Sequence, residues 1–378
     1  MILFYCFLIS LLVVFFVMPF FIRLMLKYNV LDSSGGRKIH KGEKVNIGGA
    51  VIFLAFLTSY IIAMPQISQH DSIDLMIVFI AIISCIVIVG IRDDMNSLTA
   101  KNKLIIEIIA IMFLCAIGIR IDNLYGFLGI YSLPNWISYS ITIFFYIVIL
   151  NTYNLIDGID GQSATQALSV FVPLLIFFAL IVPDKTSVNS FGSIYFWSIV
   201  CVSIIGAIIG FLKFNWEPSR VFMGDTGSIS IGMILASVMI AAIQYNGAYG
   251  EGILILGFPV KSNIGVITSL FFIPLADTLR VFTHRILKGH SPLDPDKSHI
   301  HHYLLRTGAS HAESALIVLS FSIIISTIGI IASTILDDNI FIPLLILLYI
   351  LYVYTLSSVT KSRIKTMKKK RLCQMKLN

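Results

Sequence analysis

An otherwise apolar chain of 378 residues is interrupted by short polar stretches whose residue types suit phosphate and hard-cation chemistry. Gly90-Ile91-Arg92-Asp93-Asp94 follows directly on an apolar run. Adjacent carboxylates at a membrane boundary repel unless a cation, a proton or a basic partner balances them, and a divalent cation would use their oxygens well. A plain hydrophilic stop at a helix end is the structural alternative. The stretch from Asn151 to Gly161 spaces Asn151, Asn154, Asp157 and Asp160 three apart, along one side of the chain if it is helical. Gly158 and Gly161 predict a break there, with close backbone approach to a ligand. An Asx-turn would explain Asp-Gly but not the aligned polar residues. Phe222-Met223-Gly224-Asp225-Thr226-Gly227-Ser228 opens the next apolar run. There Asp225 can cap a helix whose N–H groups attract a metal-bound phosphate, with Lys213 and Arg220 adding charge upstream. The stretch is not a Walker A sequence, since Gly-Lys-Ser or Gly-Lys-Thr is missing.

The polar loop 283–313 carries Arg285, Lys288, Ser291-Pro292 and Asp296-Lys297-Ser298-His299-Ile300-His301-His302. Its histidines match no common zinc spacing, and no cysteine is near. Beside Arg and Lys they suit phosphate binding, proton donation or sugar recognition, an exposed polar loop being the alternative. Arg37-Lys38-Ile39-His40-Lys41-Gly42-Glu43-Lys44 is a basic loop leading to Gly48-Gly49. Topology accounts for its charge, and the paired glycines would let it pack near the mouth of a site.

The elements that must position these groups are membrane helices. Hydrophobic residues make up 57% of the chain and charged residues 12%, against about a quarter charged in soluble domains. A soluble domain of ordinary size is excluded. Apolar runs near 2–22, 46–66, 73–91, 103–119, 135–151, 164–182, 191–211, 227–245, 262–282, 314–336 and 339–358 approximate the ~20 residues a crossing needs. They are read as helices because lipid leaves backbone groups no other partner. The fold class is all-α: a polytopic integral membrane protein of about eleven transmembrane helices. One membrane domain, 1–358, includes the loop 283–313, and 359–378 forms a basic tail. Residues 245–262 hold an apolar stretch too short to cross and read as re-entrant or interfacial, a further span being the alternative. Cys6, Cys85, Cys115 and Cys201 lie in apolar runs and Cys373 in the tail, a pattern of small hydrophobes or a free thiol.

With the N-terminus outside and the C-terminus cytoplasmic, every Lys and Arg except Arg120, Lys185 and Lys261 falls on the cytoplasmic side, as the positive-inside rule requires. The net charge of +7 therefore speaks for orientation and anionic lipid, not for nucleic acid. Residues 1–22 lack a basic n-region, and Arg23 and Lys27 follow the run, so the first helix reads as retained. All the compact acidic groupings and every histidine but His70 share the cytoplasmic face. Together they suit joining a phosphate-activated, water-soluble molecule to a lipid phosphate.

The chain resembles the polyprenyl-phosphate N-acetylhexosamine-1-phosphate transferases, whose superfamily includes phospho-N-acetylmuramoyl-pentapeptide transferase. The likeness runs in the family's order from Gly36-Arg37-Lys38-Ile39-His40 through Asp93-Asp94, Asn151 to Gly161 and Phe222 to Ser228, ending at His299-Ile300-His301-His302. It spans nearly the whole membrane domain. The resemblance implies a Mg²⁺- or Mn²⁺-dependent reaction at the cytoplasmic face of a bacterial inner membrane. Undecaprenyl phosphate attacks the β-phosphorus of a UDP-N-acetylhexosamine, UMP leaves, and the lipid-linked sugar diphosphate begins a cell-surface polysaccharide such as an O-antigen.

By the same resemblance Asp225 and Asp93 are metal ligands, and Asp93, Asp94, Asp157 and Asp160 are the catalytic acids. Lys38, His40, Asn151, Asn154, Arg220, Arg285, His299, His301 and His302 bind substrate. The histidine form and the preceding Ser291-Pro292-Leu293-Asp294-Pro295-Asp296 resemble the simple-hexosamine branch, which favours UDP-GlcNAc over UDP-GalNAc, a modified hexosamine or UDP-MurNAc-pentapeptide. Glu43, Val45 and Asn46 stand where the family commonly has prolines, and Gln162 and Thr165 where it has Leu and a small residue. These departures bear on sugar choice rather than reaction type. A homodimer is one candidate assembly. A transporter is the main rival, but transporters place ionisable groups near mid-membrane. Another head-group transferase would be told apart by releasing CMP, and a non-catalytic scaffold would not need these acids and histidines on one face.

Overall fold

The computed structural model describes residues 1–28, 45–67, 73–181, 193–249, 253–255, 257–289 and 299–355. The chain is an all-α polytopic membrane protein. Its helices are α1 (Ile2–Lys27), α2 (Gly48–Ile67), α3 (Ile73–Met95), α4 (Ala100–Ala116), α5 (Asn135–Ile156), α6 (Gln162–Ile176), α7 (Ile194–Asn215) and α8 (Gly224–Tyr249). After them come α9 (Ile264–Leu270), α10 (Phe272–Leu287), α11 (Ile300–Arg306), α12 (His311–Ser333) and α13 (Asp338–Thr355). Among the described residues, 9 helices are long and apolar enough to cross a membrane, or 10 if α9 and α10 form one bent span. The expectation of about eleven also counts α4, whose 17 residues reach only about 26 Å at helical rise. Lys38, His40 and the tail 359–378 lie outside the described residues.

α8 is the buried centre of the bundle, with α3 and α5 packed along it, while α1 rests on α2 and α7. Apolar side chains cannot drive helices together in lipid, so close packing rests on small residues and buried hydroxyls. Gly206 of α7 shows this: a Cβ there would come 2.2 Å from Ser10 Oγ on α1. Nearby, Ser59 Oγ and Ser203 Oγ join α2 to α7 at 2.9 Å.

One expectation is corrected here. The run 262–282 is not one straight helix, since α9 and α10 meet at 81° about Phe271. Pro274 has no N–H to give Leu270 O, and Ser326 Oγ on α12 donates to that carbonyl at 3.3 Å instead. At its other end α9 is capped from a distance. Asp338 accepts from the N–H groups of Asn263 (2.9 Å), Ile264 (3.1 Å) and Gly265 (2.8 Å) and from Ser262 Oγ (2.5 Å). A broken helix survives in a membrane protein when neighbours satisfy its freed groups in this way. Within 245–262, α8 continues to Tyr249, and Leu254–Ile255 pairs antiparallel with Phe258–Pro259. The described residues there form a small ribbon and not a further span, in keeping with an apolar stretch too short to cross.

Candidate active site

Four helix ends converge: the last turns of α3 and α5 and the first turns of α4 and α8. Residues before α2 lie parallel to those before α8. Phe222 N–H donates to Val45 O (2.8 Å), and the N–H groups of Gly48 and Gly49 donate to Phe222 O (3.0 Å) and Met223 O (2.9 Å). A Cβ on Gly49 would stand 2.1 Å from Gly227 N, and one on Gly90 would stand 2.5 Å from Thr226 Cα. α2, α3 and α8 thus meet backbone to backbone because no side chain intervenes.

Asp225 was expected to cap α8, but it lies inside the first turn, and the capping carboxylate is Asp94 of α3. Asp94 Oδ1 accepts from Asp225 N–H (2.8 Å) and Asn46 Nδ2 (3.1 Å). Its Oδ2 accepts from Thr226 N–H (2.9 Å) and the Thr226 hydroxyl (2.5 Å). An anion here satisfies orphan N–H groups and complements the helix dipole. Asp94 holds the site together through contacts with α8.

Asp93 instead meets Asp225 through a residue that sequence reading missed as a site residue. Lys103 Nζ lies 3.1 Å from Asp93 Oδ2 and 2.9 Å from Asp225 Oδ2. Asp93 Oδ1 accepts from Leu98 N–H at 2.7 Å, which fixes that carboxylate beside α4. Asn154 Nδ2 donates to Asp225 Oδ1 (2.6 Å) and to Ser228 Oγ (2.8 Å). Glu107, one turn beyond Lys103 on the same helix, is also buried. Such an i, i+4 charge pair in an apolar helix was the available signal, because ionisable groups within membrane helices are expensive unless functional.

The donor set fits a hard divalent cation. Two carboxylate oxygens already converge on one positive centre, and the Asp225 side chain keeps 35% of its exposure. Among the described residues no group of three or more His, Cys, Asp or Glu is placed to cage a metal.

The other expected site residues divide by position. Asp157 Oδ1 accepts from Ser163 Oγ at 2.6 Å. Buried Asp160 accepts from Ser219 N–H (3.1 Å) and Ser219 Oγ (2.7 Å), with His311 Nδ1 3.6 Å away, so it ties the acidic loop to the α7–α8 connection and α12. Asn151 turns back to its own helix, donating to Ile147 O at 2.8 Å. Arg220 is exposed and Arg285 is buried beside Phe282. His299 and His301 are buried and stack with ring centroids 5.7 Å apart, and His302 lies 4.3 Å beyond His301. A Cβ on Gly158 would come 2.8 Å from His301 Nε2, so the histidine segment packs directly on the acidic loop. Burial, then the neighbouring His302 and His299 rings, hold the His301 imidazole well below its ordinary range.

Residues 75–243 match the family model described as glycosyl transferase family 4. That stretch contains Asp93, Asp94, Lys103, Asn154, Asp157, Asp160 and Asp225. A phospho-N-acetylmuramoyl-pentapeptide-transferase of Streptococcus pyogenes is 31% identical over 260 residues, covering 62% of this chain and 71% of that protein. The chain belongs to glycosyl transferase family 4. Among other relatives, a Bacillus subtilis protein named "Probable undecaprenyl-phosphate N-acetylglucosaminyl 1-phosphate transferase" is 29% identical over 329 residues, 85% of this chain and 82% of its own. A decaprenyl-phosphate N-acetylglucosaminephosphotransferase of Mycolicibacterium smegmatis is 27% identical over 305 residues, 78% of this chain and 73% of its own. The family match covers all four helix ends that carry the carboxylate–lysine cluster.

Proposed function

We propose that this protein transfers N-acetylglucosamine 1-phosphate from UDP-GlcNAc to undecaprenyl phosphate, the first step of a cell-surface polysaccharide. The observation that carries the reading is the meeting of Asp93, Asp225, Asn154 and Lys103 where four helices end. A lipid phosphate oxygen attacks the donor's β-phosphorus, the bond from that phosphorus to the bridging oxygen breaks, and UMP departs. Mg²⁺ or Mn²⁺ held by Asp225 and Asp93 would supply neutralisation of charge on the diphosphate oxygens. Lys103 brings a second positive charge to those oxygens, and Asn154 holds Asp225 in register. Asp93, which faces Lys103 and Asp225 while Asp94 is taken up in capping α8, is the acid assigned to accept a proton from the lipid phosphate. Asp157, with Asp160 anchoring its loop, and the histidine segment border the donor. These helix ends face the cytoplasm in this reading, where a UDP-sugar is supplied, and the distribution of Lys and Arg supports that orientation.

UMP release tests this reading. Purified protein in detergent, with undecaprenyl phosphate and Mg²⁺, is compared on UDP-GlcNAc, UDP-GalNAc and UDP-MurNAc-pentapeptide. Lipid-dependent UMP from UDP-GlcNAc, abolished by D225N, is the expected result. Turnover of UDP-MurNAc-pentapeptide instead would assign the donor seen in the name of the streptococcal relative, and folded protein inert with all three would overturn the assignment.

A further inference from the structure

Asp277 lies just past the bend at Phe271, only 2% exposed, within a stretch that reads as a membrane span. An acid in such a place needs partners, and this one has several. Its Oδ1 receives Arg280 Nη2 at 2.7 Å and the Tyr352 hydroxyl of α13 at 3.2 Å. Ile300 N–H lies 3.2 Å from Oδ1 and 3.1 Å from Oδ2. His299 Nδ1 stands 2.9 Å from Oδ2.

A carboxylate can only accept, so His299 donates from Nδ1, and that bond sets both its tautomer and the plane of its ring. Nε2 is then the nitrogen left to act. It is buried and has no hydrogen-bond partner among the described residues, an arrangement that costs free energy unless a ligand supplies the partner. His301 lies parallel to His299, with 3° between the ring planes. His301 abuts Gly158, one turn beyond the Asn154 that bonds Asp225. A continuous line of contacts therefore runs from the bend in the α9–α10 span to the loop beside the carboxylate–lysine cluster.

We infer that Asp277 is a positioning residue for the sugar-diphosphate donor: it fixes His299 through Nδ1 so that Nε2 is held ready to bind that donor. Arg280 and Tyr352 steady the carboxylate, and Asp277, on the helix that leaves the bend, meets the first residues of the histidine segment. The inference rests on the proposed transferase reaction. A carboxylate that merely stapled the loop would, when altered, reduce the amount of working enzyme without changing how the remainder binds donor.

Steady-state UMP release separates the two roles, with UDP-GlcNAc and undecaprenyl phosphate varied independently for wild type, D277N, H299A, the double variant and Y352F. D277N is expected to raise KM for UDP-GlcNAc by about tenfold, the scale of one charge-assisted hydrogen bond, and to leave KM for undecaprenyl phosphate unchanged. The double variant should be no worse than H299A alone, because the two residues act as one unit. Should D277N fail to fold, Y352F is expected to raise the same KM by a smaller factor. Unchanged donor KM in every folded variant, or effects of D277N and H299A that multiply, would overturn the inference while wild-type turnover stands. Wild-type protein without lipid-dependent UMP would overturn the transferase reading itself, and this inference with it.

Discussion

Lys103 holds an ammonium group 21% exposed between two carboxylates, one of them 7% exposed. Desolvating such charges is costly, and the arrangement persists because each group finds an opposite charge at hydrogen-bonding distance. Replacing Lys103 by Gln removes the ammonium group that Asp93 and Asp225 share. K103Q is expected to lower kcat/KM for UDP-GlcNAc by about 10²-fold, the scale of removing one preorganised charge from a phosphoryl-transfer site. Asp93 and Asp94, adjacent in the chain, should fail differently. D94A removes the cap of α8 and should cost about 1–2 kcal/mol of stability, read as a lower melting temperature in detergent. D93N should keep the melting temperature and lose turnover. His301 adds a pH dependence: its folded-state value is depressed by burial and by its neighbouring rings. The unfolded chain then binds a proton that the folded one refuses, so stability from this group is complete above about pH 6.5 and declines as pH falls below it. Melting temperatures between pH 8 and pH 5.5 should show this slope, and H301Q should flatten it.

At the scale of elements, the site depends on helix ends that touch through backbone. The Gly49–Gly227 approach leaves no space for a methyl group, because a Cβ on Gly49 would sit 2.2 Å from Gly227 Cα. G49A must push α2 away from α8, which pulls Asn46 from Asp94 and loosens the cap on the Asp225 turn. The expected cost is about 1–3 kcal/mol, in the range of overpacked cores. It is measured as a lower melting temperature together with a loss of UMP release larger than the loss of folded protein. α9 and α10 show the opposite strategy. There a broken backbone is tolerated because Asp338 and Ser326 occupy the groups that the break leaves open.

For the whole molecule, the arrangement of charge makes an orientation test direct. Lys261 and Lys101 are both exposed and belong to opposite faces in the proposed topology. In intact cells, cysteine placed at K261C should react with a membrane-impermeant maleimide, and cysteine at K101C should react only after permeabilisation. The reverse pattern would turn the molecule over and put the acidic helix ends on the side away from nucleotide sugars.

Membrane helices were legible because lipid admits little else: a crossing needs a run of about 20 apolar residues, and charge is tolerated only where it is used or solvated. That expense also made Asp93-Asp94, Asn154, Asp157 with Asp160, Asp225 and the histidines stand out against an apolar chain. Their division of labour was not legible. Asp93 and Asp94 are chemically identical neighbours, and only the approach of α8 makes one a helix cap and leaves the other facing Lys103. Lys103 itself was already explained by the positive-inside rule, and the charge of Glu107 one turn on was the one local sign that it does more than orient the chain. The bend at Phe271 depends on Pro274 together with partners on α12 and α13, and Asp277 gains its contact with His299 only once that bend and the histidine segment come together. Sequence by itself determined the spans and the inventory of reactive groups, since both follow from the local cost of putting residues in lipid. The tertiary structure decided which groups meet, because hydrogen bonds and ion pairs act over about 3 Å while their partners stand as far apart as residues 94 and 226 along the chain.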